Sequence, residues 1–126
     1  MADGFTIRVE PDFVHVVFAE PVSFVSVQLF FSQVPDEARN AGVSKVLCDA
    51  RDIAGQLDTL QRFQYGSRVA EKFQGIKAAF VLSESLIGPN RFGEKVATDL
   101  GGDIRVFSKL SDAYDWLDVK RTKGHP

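Results

Sequence analysis

The segment Lys45–Thr59, KVLCDARDIAGQLDT, sets two carboxylates and a guanidinium at the end of an apolar run. Asp49, Arg51 and Asp52 form the densest charged cluster in the sequence. Such a trio supports two kinds of chemistry. Arg51 can fork onto a carboxylate and brace the loop. It can instead offer its donors to an anion or a partner, joined by Arg62 and Arg91, which lie near the starts of two later helices. Carboxylate pairs also do acid–base work, but only with a third group and a pocket. The two histidines give no such group: His15 lies in a strand, where an edge or surface position is expected, and His125 lies in the tail. Cys48 has no Cys or His nearby in sequence, so inert core packing is expected of it. No phosphate-binding loop or dinucleotide fingerprint is present. The residues therefore read as a non-enzymatic chain with no metal and no cofactor.

The elements that hold these residues follow from periodicity. Phe5, Ile7 and Val9 alternate along a first strand, 5–9, and Val14, Val16 and Phe18 along a second, 13–19. Glu10-Pro11-Asp12 between them supplies hairpin turn chemistry. Pro21 ends the second strand and Ser23 caps a helix whose Phe24, Val27, Phe31 and Val34 share one face, widened by Leu29 and Phe30. Pro35 is expected to end or kink this helix, with Asp36-Glu37 starting another turn and Asn40-Ala41-Gly42 stopping it. Residues 45–50 run without alternation, as in a strand covered on both faces. Asp58 or Thr59 caps the next helix, with an expected buried stripe of Leu60, Phe63, Ser67, Ala70 and Phe73, closed by Gln74-Gly75. A fourth strand is predicted at 77–83, a loop at 85–91, a short helix at 91–100 and a fifth strand at 104–107. Ser111 is expected to cap a last helix that turns Ala113, Trp116 and Leu117 inward. The order β-β-α-β-α-β-α-β-α predicts an α/β fold: an N-terminal hairpin, then alternating units, in a five-stranded mixed sheet with four helices.

Composition bounds the function. A chain of 126 residues predicts one domain, here 1–119, followed by a basic, flexible tail at 120–126. Its formal net charge of -2 argues against nucleic-acid binding driven by bulk charge. No apolar run reaches the roughly 18 residues of a membrane span. A lone cysteine and an acidic N-terminus without an apolar core predict a cytoplasmic protein. Phenylalanine is over-used, with 11 Phe against one Trp and two Tyr. Having no polar atom, Phe suits a dry core or an apolar pocket. Phe24, Val27, Phe30, Phe31, Phe63, Phe73 and Phe92 are the candidates for such a pocket or for a dimer face. The helix at 24–34 is apolar on nearly every side, which predicts deep burial or a homodimer contact.

The chain resembles the STAS fold of bacterial anti-anti-sigma proteins, and more closely the small bacterial STAS/SEC14-like (SpoIIAA-like) proteins of unassigned function. The residues carrying the resemblance are Val46-Leu47-Cys48-Asp49-Ala50-Arg51-Asp52 with Gly55, then Arg62-Phe63. They continue in Arg91-Phe92-Gly93-Glu94 with Val96-Ala97, and in Ile104-Arg105-Val106-Phe107 with Ala113 and Trp116-Leu117. The Asn-Arg-Gly that family members often carry near the end of the third helix is replaced here by Thr98–Gly102, so no role for that arginine transfers. Signalling STAS domains are phosphorylated on a serine at the start of the helix after the third strand. The matching positions are Asp58 and Thr59, without the usual Asp-Ser-Ser-Gly pattern. The resemblance implies a binding or regulatory module that meets a protein partner or anion through Asp49, Arg51, Asp52, Asp58, Thr59, Arg62 and Arg91. Its alternative is a SEC14-like carrier of a lipid or other apolar ligand.

Overall fold

The computed structural model describes residues 4–20, 23–53 and 55–120. Pro21, the Phe24 side chain and the tail beyond Lys120 lie outside that description. Five strands are present: β1 (Phe5–Val9), β2 (Val14–Phe18), β3 (Lys45–Ala50), β4 (Lys77–Leu82) and β5 (Asp103–Phe107). They form one sheet in the order β1-β2-β3-β4-β5, with β1 antiparallel to β2 and every later pair parallel. Five α-helices accompany them: α1 (Phe24–Ala41), α2 (Thr59–Lys72), α3 (Glu84–Ile87), α4 (Phe92–Asp99) and α5 (Leu110–Leu117). The α/β class and the mixed five-stranded sheet are those the sequence predicts. The helix count is one higher, because the expected loop at 85–91 holds α3 and a 3-10 turn at Pro89–Arg91.

Strand order determines where the helices lie. Each parallel step moves one place in the same direction, so right-handed crossovers put α1, α2 and α4 on one face. On that face Val14, Val16, Val46, Cys48 and Ala78 pack with Phe30, Phe31, Val34 and Ala38 of α1, Val69 and Phe73 from α2, and Ala97 of α4. Among the described residues the opposite face carries α5 alone, where Ala113, Tyr114 and Leu117 cover Phe13, Leu47, Ala79 and Val81.

Three local expectations are corrected. First, Pro35 does not end the helix, and α1 runs through it to Ala41. Pro35 removes a single N–H bond, and burial of Val34, Pro35 and Ala38 holds the turns on either side of it. The apolar width of α1 is spent inside the chain, with Phe30, Phe31 and Val34 buried and Val25 exposed. Second, the expected stripe of α2 holds only at Ala70 and Phe73, which are buried, and fails in its first half. Leu60 and Phe63 are exposed, while Gly66, Val69 and Ala70 are buried. Third, Ser111 lies inside α5, whose N-cap position is Lys109 with no side-chain cap. Other ends follow their signals. Ser23 and Asp58 each complete a capping box, with Ser26 and Gln61, and Gly42 ends α1 at φ 73°.

Candidate functional site

The strand exits divide the predicted site residues between the two faces of the sheet. Asp49 pairs across β3 with Val17 and Val81, on the side of α5. Its carboxylate accepts from Arg51 Nε and Nη2, both at 2.9 Å, and from the Arg51 backbone N–H at 3.2 Å. This is the forked brace that the residue types allow, and those hydrogen bonds raise the Arg51 pKa above its ordinary value. Asp52 is exposed beside it. Arg62 and Arg91 lie across the sheet from this pair, so the expected union of Arg51 with Arg62 and Arg91 at one edge does not form.

What the structure brings together instead is a cavity of about 270 Å³ between the sheet and the three helices. Its floor is Cys48, Ala50, Phe80, Leu82, Ile104 and Val106. Phe18, Val27, Phe30 and Phe31 form one wall, and Tyr65, Gly66, Val69, Gly93 and Ala97 the other. Ile53, Leu57, Leu86 and Ile87 stand at the ends of β3 and β4, where parallel α/β sheets place ligands. Among the predicted apolar residues, Val27, Phe30 and Phe31 line the cavity. Phe73 is packed in the core at 1 % exposure, Phe63 faces solvent, and neither these nor Phe92 lines the cavity. Periodicity selects Phe by type, but the wall also needs small residues. Gly66 is one: a Cβ there would lie 2.6 Å from the Gly93 carbonyl oxygen, so glycine lets α2 and α4 approach.

Among the described residues three charged side chains reach this apolar wall: Arg62, Arg91 and Glu94. Two are tied to each other and to the edge strand β5. Arg91 Nε bonds Glu94 Oε1 at 3.2 Å, and its Nη2 donates to the Val106 carbonyl. Glu94 Oε2 accepts from the Val106 N–H at 2.7 Å. The pair thus occupies backbone groups that an edge strand would otherwise present to another chain. Arg91 and the preceding Asn90 adopt left-handed backbone, φ 50° and 60°, which is unfavourable for side-chain-bearing residues and is held by these bonds. Arg62 differs. Its Nη2 reaches the Ser85 carbonyl at 3.4 Å, and its Nε is out of solvent with no hydrogen-bond partner among the described residues. Gly88 packs against it so closely that a Cβ would fall 2.3 Å from the guanidinium carbon.

Cys48 lies in the floor at 1 % exposure, and burial, with Asp49 beside it, raises its thiol pKa well above the ordinary range. A thiol so held supplies little thiolate. Asp58 and Thr59 are exposed at the start of α2, with Asp58 accepting from the Gln61 N–H at 2.7 Å. Among the described residues no helix is long and apolar enough to cross a membrane, and no group of three or more His, Cys, Asp or Glu could hold a metal.

No family model matches the chain, and no curated protein does. Among solved structures it is similar to the NMR structure of the protein TM1081, with a TM-score of 0.56 and 17 % identity over 92 % of this chain and 90 % of that one. Likeness at this identity concerns the fold, and it extends over nearly the whole of both chains.

Proposed function

We propose that this protein is a non-enzymatic binding module that carries an apolar small molecule between its sheet and helices α1, α2 and α4. The observation that carries the reading is the cavity itself. It is walled largely by aromatic and aliphatic side chains, borders the C-terminal ends of β3 and β4, and has few polar groups. The STAS/SEC14-like resemblance supports a carrier of this kind in the cytoplasm of a bacterium. The chemistry of the walls supports binding over catalysis. Arg91 and Glu94 are engaged with Val106, and the Cys48 thiol is held protonated. The test is native mass spectrometry of protein purified from its own cells. A copurified apolar ligand of constant mass is expected, and repeated preparations without one overturn the reading.

A regulatory reading has one observation in its favour. Thr59 is exposed in the first turn of α2, and Leu60 and Phe63 beside it expose 63 % and 49 % of their surface. A protein partner, or a second copy in a homodimer, would meet this edge. Light scattering at high concentration distinguishes the two, since only self-association raises the mass of the purified protein.

A further inference from the structure

The cavity is apolar, yet its charges do not balance. Arg91 and Glu94 neutralise each other within 3.2 Å. Arg62 is left as a cation in the wall, with no carboxylate in ion-pair reach among the described residues. Among the described residues its guanidinium bonds only the Ser85 carbonyl, a long contact, and its Nε is shielded from water without a hydrogen-bond partner. A shielded guanidinium donor left unpaired is costly, and an anion is the group that repays it best. Gly88 limits where the guanidinium can go, because backbone packs directly against it. Much of the remaining wall is hydrocarbon, with Phe30, Phe31, Phe80 and Leu82, and its other polar side chains are Cys48, Tyr65 and the mutually paired Arg91 and Glu94. Size adds a further limit. A volume near 270 Å³ falls just under the range of about 300–1,000 Å³ usual for drug-sized ligands, which suits one short chain rather than two long ones.

We infer that the cavity takes a compact, single-chain amphiphile with one anionic head, and that Arg62 is the counter-ion that reads this head. The inference rests on the cavity-binding reading above and adds charge and size to it. Carboxylate and sulfate heads share the chemistry.

The experiment is titration calorimetry of the full chain with decanoate, decyl sulfate and uncharged decanol, each below its micellar concentration. Both anions are expected to bind about tenfold or more tightly than decanol, the margin of a charge-assisted hydrogen bond. Arg62→Met keeps an apolar stem and is expected to erase that preference. Arg62→Lys keeps a cation and is expected to retain part of it, and circular dichroism of both variants shows whether they fold. If decanol binds as tightly as decanoate, the charge inference falls while the cavity reading stands. If Arg62→Met weakens all three equally, Arg62 is only wall and the inference falls. If none of the three binds the wild-type protein, both readings fall together. Extraction of dioleoyl phosphatidylglycerol from vesicles in preference to decanoate overturns the size limit.

Discussion

Two arginines that sequence spacing groups together have opposite environments. Arg51 exposes 47 % of its side chain and is bonded twice to Asp49, which exposes 11 %. Arg62 is half-buried and has no carboxylate partner among the described residues. The first arrangement satisfies a buried anion and braces the turn after β3. It is the structural brace that the residue types of the Asp-Ala-Arg-Asp sequence allow. The asymmetry of exposure predicts an order of stabilities. Removing Arg51 leaves the Asp49 carboxylate buried with a single backbone donor, whereas removing both leaves no buried charge. Arg51→Ala should cost about 1–3 kcal/mol, and the double variant Asp49→Ala/Arg51→Ala should cost less than Arg51→Ala alone. Urea denaturation measures both. A double variant at least as unstable as Arg51→Ala would show that the carboxylate is well solvated without its partner. Nothing in the local sequence separates Arg51 from Arg62 in this way, because the difference arises from which face of the sheet each reaches.

Helix α2 shows why the cavity was harder to read than the strands. Its apolar residues Leu60 and Phe63 suggest a buried stripe, yet both are exposed. The face that turns inward carries Arg62, Tyr65, Gly66 and Val69. A face that borders empty space and a close-packed neighbour has no need of uniform hydrophobicity, so its periodic signal is weak. The strands had no such difficulty, since Val14, Val16 and Val46 meet packed core and their composition says so. The crossing of α2 and α4 yields a prediction in which two effects oppose. In Gly66→Ala the substituted residue gains roughly 1 kcal/mol of helix propensity. The new Cβ, however, would lie 2.6 Å from the Gly93 carbonyl oxygen and 3.1 Å from Val96 Cβ. The first neighbour is backbone, so the helices must separate, and overpacking of this kind costs about 1–3 kcal/mol. The variant should be less stable than wild type in urea, and should bind decanoate less well because two cavity walls have moved. A gain in stability would show that α2 and α4 part without strain.

At the scale of the whole molecule the two faces of the sheet are covered differently. Parallel strands joined by right-handed crossovers were legible from the alternation of strands and helices, whereas the order β1-β2-β3-β4-β5 comes from the structure. It puts three helices on one face and leaves α5 to close the other, where Tyr114 and Leu117 fill the space over Leu47 and Val81. The face with three helices is large enough for an imperfect seam, and that seam is the cavity. Its volume depends on how far apart the helices stand, which no single segment encodes. This division predicts where a ligand acts on the fold. At a hundred times its Kd, a ligand that binds only the native state adds about 2.7 kcal/mol of stability, on the order of 10 °C in Tm for a domain of this size. The gain in global stability is shared by every amide that exchanges through complete unfolding. Amides that exchange by local opening report the site instead. Decanoate should slow local exchange in α2, in α4 and in the segments holding Leu57 and Leu86, which border the cavity, and leave α5 unchanged. Hydrogen exchange read by mass spectrometry resolves these segments. Slowing confined to α5, or equal on both faces among locally opening amides, would place the ligand elsewhere than between the sheet and its three helices.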